Sequence, residues 1–441
     1  MDSERAGIYP FLPSAAAGVE IARAEGCTLI TPDGHRILDA AGGAIVANIG
    51  HGRHEVADAV AEALKQMTYV VPPFVTESRV RLVERLRARW LPAEVTRAMF
   101  TSGGSEAVDC AIRLARQHFV SKKDSKRWKV IGRDLSYHGV TLATLAVGGH
   151  ERRRVGFEPL LIDFPKAPAC YPLRCQRCQG SCNLDCADAL EEVLQREGPE
   201  SVAAFIGEPI GGSTAGALTP PDDYWPRISE ICKRHGVLLI ADEVMSGFGR
   251  TGRAFAMDHF GVVPDVIVGG KGLAGGYAPM GGLFAREEVL APIAEAGDEL
   301  MFFTFSAHPA SCAAADAVLE IMEREKLVER AAEMGELLTR RLATLAEHEN
   351  VAEVRGRGLL QALEFVRDKE TLEPFPAEAR VAGRIVAAGL AKGVFFYPGG
   401  CGPARDVICL GPPLVISPQE IDVLVRVLEE SVEEALSRVS P

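Results

Sequence analysis

The residues best placed to do chemistry are an amine and a carboxylate at the ends of two short apolar runs. In G-V-L-L-I-A-D-E-V-M-S-G-F-G-R-T-G, residues 237–241 lead into Asp242, and in P-D-V-I-V-G-G-K residues 266–268 lead towards Lys271. Both runs have strand length and β-branched content. Ligands of open α/β sheets sit beyond the carboxyl ends of the strands, so the acid and the amine are expected to face one crevice. A lysine can hold an aldehyde as an imine, and a carboxylate can hold a pyridinium nitrogen. That pairing suits pyridoxal phosphate.

Other segments carry weaker signals of their own. T-S-G-G-S-E-A runs into a helical pattern beginning near Ser105, which leaves backbone N–H groups at Gly104 and Ser105 for a phosphate. The plainer reading is a helix start capped by Ser105. Ser136-Tyr137-His138-Gly139 follows a strand at 128–133; Tyr137 can stack on a flat ring, or Tyr137 and His138 are a satisfied buried pair. Glu208 ends another apolar strand, 202–206. G-F-G-R-T-G at 247–252, with Asp265 further on, is formally a dinucleotide fingerprint and would suit an NAD-dependent dehydrogenase. Its context argues against that use: Asp242 and Glu243 intervene between strand and glycines, and the residues after Gly252 are too interrupted for a crossover helix. His51 and His54 read as a loop leading into helix 55–67 rather than as a metal pair, since no other ligand lies nearby in sequence.

The chain has 11 cysteines, five of them between Cys170 and Cys186. Cys175-x-x-Cys178 with Cys182 and Cys186 could hold zinc or an iron–sulfur cluster, but the spacing is not that of a paired C-x-x-C ribbon. The preferred expectation is no metal: unpaired thiols in a solvent-side insertion, or a labile disulfide. A chain this long is no small disulfide scaffold, and the thiols are expected to be reduced.

At 441 residues the chain can bury a large core in more than one domain. A net charge of −12 argues against nucleic acid or an anionic membrane as the main partner. The first residues lack a basic stretch followed by an apolar core, and no apolar run is of membrane-spanning length, so a cytoplasmic protein is expected. Asp33-Gly34 marks a hairpin. From 128 to 241 strands alternate with helices at 190–196 and 224–235, which predicts a mostly parallel sheet covered on both faces. A charged helical stretch at 325–349 leads to strands near 354–365 and after 393, and an amphipathic helix at 419–437 closes the chain.

Taken together and in order, T-S-G-G-S-E-A, Y-H-G, G-E-P-I, L-L-I-A-D-E-V-x-x-G-F-G-R-T-G, G-G-K, T-F-S-x-x-P and R-G-x-G-L-x-x-A-L-E-F make the chain resemble the class III pyridoxal-phosphate aminotransferases of fold type I, over roughly residues 25–435. The resemblance implies an α/β fold: a large domain with a mostly parallel seven-stranded sheet, and a smaller α+β domain. It suggests an N-terminal arm and part of the small domain at 1–75, a coenzyme-binding domain at 76–325 and a C-terminal small domain at 326–441. It implies a Schiff-base lysine at Lys271 that also moves the substrate proton, and Asp242 on the pyridinium nitrogen. Val244 and Tyr137 would take the two ring faces, Gly104 and Ser105 the phosphate, and Glu208 a place beneath the coenzyme. Thr304 of T-F-S would reach the phosphate of a neighbouring subunit, which implies a homodimer. The expected reaction moves an amino group from an amino acid or amine to a 2-oxo acid such as pyruvate; a racemase or epimerase, an aminomutase or a decarboxylating transaminase would use the same scaffold.

Departures from the family pattern bear on substrate. Ser213 stands five residues after Glu208, where the 4-aminobutyrate and ornithine enzymes carry a glutamate that pairs with a substrate-binding arginine. Met245 replaces a frequent glutamine. Ala44 and Ile45 lie where amine–pyruvate transaminases place a large aromatic, and Arg405 lies near their mobile carboxylate-binding arginine or is a solvated loop residue.

Overall fold

In the computed structural model, residue 16 and residues 18–438 are described, save 176, 179–181 and 301. The central sheet has seven strands in the order Val95–Thr101, Gly281–Arg286, Val266–Gly269, Leu238–Asp242, Val202–Gly207, Lys129–Arg133, Lys166–Ala167. Gly281–Arg286 is antiparallel to both neighbours, and the remaining pairings are parallel. Val202–Gly207 and Val266–Gly269 are buried along their whole length, as expected for strands covered on both faces. Leu238–Asp242 lies centrally in the sheet, and Val266–Gly269 beside it ends two residues before Lys271. The alternation of strands and helices therefore brings acid and amine to one edge, beyond adjacent strand ends.

Helix Gly104–Ser121 covers one face through Val108, Ala111, Ala115 and Phe119, all buried against Val130, Ile206, Ile240 and Val268. Asp185–Glu197 and Tyr224–His235 cover the other through Leu190, Val193, Ile228 and Ile231, packed with Phe205 and Leu239. An antiparallel sheet in the order Val351–Arg357, Leu360–Phe365, Ala404–Leu410, Tyr397–Cys401 follows in the C-terminal third. The Asp33-Gly34 hairpin forms between Thr28–Ile30 and Arg36–Asp39, with Gly34 at φ +87°. Arg36–Asp39 also pairs in parallel with Val394–Phe395, which joins an N-terminal strand and a C-terminal one in one sheet.

The glycine loop 247–252 precedes no helix; a 3₁₀ turn, Ala256–Phe260, comes next. Its glycines serve close packing: a Cβ on Gly252, at φ +83°, would lie 2.8 Å from Ala332 Cβ. The buried Arg250 guanidinium donates to Leu359 O and Pro412 O and, at 2.7 Å, to Asn48 Oδ1. The segment that resembles a dinucleotide fingerprint is thus a junction of three distant stretches of chain. Burial pushes the Arg250 pKa down to about 9. Leu359 O, Pro412 O and Asn48 Oδ1 are neutral acceptors, so the charge is held by hydrogen bonds rather than by a salt bridge.

Candidate active site

Asp242 ends the central strand buried and hydrogen-bonded. His138 Nδ1 lies 2.6 Å from Asp242 Oδ2, and the Val244 N–H donates to Oδ1 at 3.1 Å. These two contacts fix the direction of the carboxylate. His138 Nε2 is buried and, among the described residues, has no hydrogen-bond partner. His138 is a functional candidate that sequence reasoning passed over. Its signal was position: it follows Tyr137 at the end of a strand two places from the strand of Asp242.

Lys271 lies just past Val266–Gly269 with φ +42°, a left-handed conformation that costs a non-glycine residue about 1 kcal/mol or more. Burial lowers its pKa to about 8, against the opposing pull of the Asp242 and Glu208 carboxylates, so the neutral amine is accessible near neutral pH. Val244 lies between Gly270, the residue before Lys271, and the helix start. A Cβ on Gly104 would come within 2.8 Å of Val244 Cγ1, and one on Gly270 within 3.3 Å of the same atom and 3.6 Å of Gly104 Cα. Gly270, the residue before Lys271, therefore crowds one point with Val244 and Gly104, and the glycines make the approach feasible.

The helix starting at Gly104 has Gly103 as its cap residue and no side-chain cap. Ser105 does not cap it, contrary to the plainer reading. Its Oγ instead accepts the Val140 N–H at 3.2 Å, while Glu106 turns back to accept the Ser102 N–H at 2.7 Å. The first-turn N–H groups remain for an anion at the positive end of an 18-residue helix. Glu208 is buried, accepts the Tyr137 N–H at 3.1 Å and the Gly212 N–H at 2.7 Å, and has its pKa raised by burial. Met245 lies against Gly212. The Tyr137 ring has the Arg153 guanidinium over one face at 4.4 Å. Arg153 belongs to the short helix Glu151–Arg154, whose R-R-R run gave no sign of a role.

The donor set fits pyridoxal phosphate: a lysine of lowered pKa, a carboxylate with two donors behind it, an open helix N-terminus and a tyrosine ring, all joined through Val244, His138 and Glu208.

Other residues singled out from the sequence lie as follows. Ile45 is buried at φ +59° against Gly411, and Ala44 beside it is exposed. Arg405 lines a cavity of about 560 Å³ with Arg152, Arg380, Glu151 and Asp406, and neither Lys271 nor Asp242 lines it. Thr304 is exposed, with its carbonyl accepting the Tyr69 hydroxyl at 2.9 Å; among the described residues no hydrogen bond joins it to Lys271, Asp242 or Ser105. Ser213 is buried, and its carbonyl accepts the Gly400 N–H at 2.9 Å. His51 pairs with Asp39 at 3.2 Å, and His54 opens helix His54–Gln66.

The class III aminotransferase family model matches residues 13–432. The chain belongs to the class III aminotransferases. It is 35% identical over 432 residues to an uncharacterized aminotransferase, YodT, of Bacillus subtilis, covering 96% of this chain and 97% of that one. It is 34% identical over 433 residues to the putrescine–pyruvate aminotransferase of Pseudomonas aeruginosa, covering 95% and 91%. Among solved structures, an (S)-enantioselective omega-transaminase from Thermomicrobium roseum superposes with a TM-score of 0.89 at 37% identity, covering 95% and 93%. The fold is that of the transaminases, and the enzyme is a pyridoxal-phosphate-dependent transaminase. The dehydrogenase reading of the glycine loop is overturned, both by this membership and by the packing of Gly252 and Arg250.

Proposed function

We propose that the coenzyme site is the cluster of Lys271, Asp242, Val244, Tyr137, Glu208, Gly104 and Ser105, and that the enzyme transfers an amino group from a primary amine or amino acid to a small 2-oxo acid such as pyruvate. The observation that carries this reading is the convergence on Val244 of the Lys271 strand end and the Gly104 helix start, with Asp242 two residues away on the chain. Bound there, pyridoxal phosphate supplies an electron sink for the bond broken at the substrate carbon. Asp242, held by His138 and the Val244 N–H, keeps a proton on the ring nitrogen. Gly104 and Ser105 hold the phosphate by backbone N–H groups. Lys271 would hold the coenzyme and would also be the base that takes and returns the substrate proton; a pKa of about 8 suits both roles. Val244 and Tyr137 take the two faces of the ring, and Glu208 fixes the Tyr137 backbone from beneath.

Pyruvate as acceptor is favoured by the likeness to the putrescine–pyruvate aminotransferase of Pseudomonas aeruginosa. Arg153, against Tyr137, is a cation within reach of a substrate carboxylate at this site. Arg405 fits that role less well, because its cavity lacks Lys271 and Asp242. The enzyme works as a homodimer, with Thr304 reaching across the interface: Phe74, Val75, Val140 and Phe305 are exposed apolar side chains in one chain, and Val140 adjoins Ser105. Residues 76–325 form the coenzyme-binding domain, and 1–75 with 326–441 supply the arm and the smaller domain. Among the described residues no helix is long and apolar enough to cross a membrane, which accords with a cytoplasmic enzyme.

The deciding experiment incubates the purified enzyme with single amines and amino acids in the absence of acceptor. A transaminase releases about one equivalent of carbonyl product per site and stops until pyruvate is added. Donor racemisation without that release would refute transamination.

A further inference from the structure

The cysteine-rich stretch plays no part in the site just described, and its placement differs from the expectation of a solvent-side insertion. Cys170, Cys178 and Cys186 are buried, and Cys175 and Cys182 are half-buried. The sulfurs of Cys170, Cys182 and Cys186 lie within 4.8 Å of one another, as do those of Cys175, Cys178 and Cys186. Cys178 and Cys182 are 3.9 Å apart. A single tetrahedral zinc with Zn–S bonds of about 2.3 Å places its sulfurs about 3.8 Å apart. The observed separation matches one edge of that tetrahedron and is far outside bonding distance for a disulfide. All five thiols are free.

Backbone amides also turn towards these sulfurs. The N–H groups of Arg177 and Cys178 approach Cys175, those of Asn183 and Cys186 approach Cys178, and that of Leu184 approaches Cys182. These N–H groups are donors to sulfur, and the thiolate is the form of sulfur that binds metal. The nearby arginines are engaged elsewhere: Arg174 binds Glu364 and Arg177 binds Glu192. Among the described residues, then, neither of these arginines is free to balance thiolates here, and a bound cation would.

We propose that this loop holds one structural zinc ion through four of the five thiolates, Cys186 among them because it is common to both groups. The ion would pin the first turn of helix Asp185–Glu197 to the segment that carries Tyr171 and Arg174. That segment grips Glu364 of the C-terminal sheet, and Arg355, also bonded to Glu364, donates to Gly216 O at 2.8 Å. The zinc thereby braces the 208–216 loop behind Glu208 without touching the reacting groups. Binding displaces the thiol protons to solvent, so no oxidant or reductant is needed.

The test is metal analysis of the full-length enzyme purified under reducing, anaerobic conditions without chelator. The expected result is about one zinc per chain, released by an organomercurial in step with thiol modification. Cobalt(II) given to the metal-stripped protein should produce thiolate charge-transfer absorption and the strong visible bands of a tetrahedral site. Cys186→Ser should lose the zinc and lower the thermal midpoint, whereas Cys232→Ala, in the same core but outside both sulfur groups, should keep it. Should Cys186→Ser fail to fold, the cobalt spectrum and stoichiometry of the unaltered chain still decide. Absence of metal with five thiols freely titratable overturns the proposal. So does a disulfide mass deficit, or iron with inorganic sulfide.

Discussion

Replacing Lys271 with methionine tests the electrostatic environment of the site without any coenzyme present. The wild-type amine has its pKa lowered from 10.5 to about 8 by burial. A shift of that size corresponds to about 3 kcal/mol of destabilisation of the charged form, at 1.36 kcal/mol per unit. The sign follows from proton binding. Between about pH 8 and 10.5 the unfolded chain binds the proton more than the folded chain does, so stability rises with pH across that window. Below pH 8 the whole cost is present, and above 10.5 it is gone. Methionine nearly conserves volume and carries no charge. The coenzyme-free Lys271→Met protein should therefore be more stable than wild type by up to about 3 kcal/mol at pH 7, with the gap closing by about pH 10.5. The assay is urea unfolding of both coenzyme-free proteins at matched concentration across pH 7–10.5, read as a difference so that other titrations cancel. Parallel stability curves over that range would refute the buried-amine argument.

Asp242→Asn should lower kcat/KM by about 10²-fold or more, because a neutral amide no longer favours the protonated ring nitrogen; a steady-state assay near wild-type rate would count against that role. Gly104→Ala places a methyl 2.8 Å from Val244 Cγ1 and should cost about 1–3 kcal/mol of stability. Adding Val244→Ala should recover part of that loss, and strict additivity in the double-mutant cycle would argue that the two residues do not meet. Arg153→Ala should raise KM for a 2-oxo acid about 10-fold or more with little change for an uncharged amine donor, whereas Arg405→Ala should leave both near wild type; the reverse pattern would exchange their roles.

The amine–acid pairing was legible because both groups end apolar runs, and a parallel sheet sends such ends to one edge. The buried strands Val202–Gly207 and Leu238–Asp242 were likewise legible from continuous apolar content. Lys166–Ala167 was not, since two residues leave no periodicity and only pairing with Gly132 and Arg133 makes them a strand. Helix Val381–Ala391 carries apolar or small residues over most of its length and lacks an amphipathic signature, and Glu287–Ala296 contains Pro292. The parallel pairing of Leu38 with Val394 spans almost the entire chain, beyond any local signal. In the site, the bond from the Val140 N–H to Ser105 Oγ was not legible because Val140 comes from another loop. His138 and Arg153 were missed for the same reason: what defines them is the side chain each one meets, Asp242 and Tyr137. The cysteines looked solvent-side because the stretch is polar and glycine-containing, whereas contacts to Glu364 draw it inward.

The most direct test of the central claim is borohydride reduction of the purified enzyme followed by peptide mass spectrometry. The account predicts a single phosphopyridoxyl adduct on Lys271, absent from the Lys271→Met protein. An adduct on a different lysine, or none in an active preparation, would contradict it.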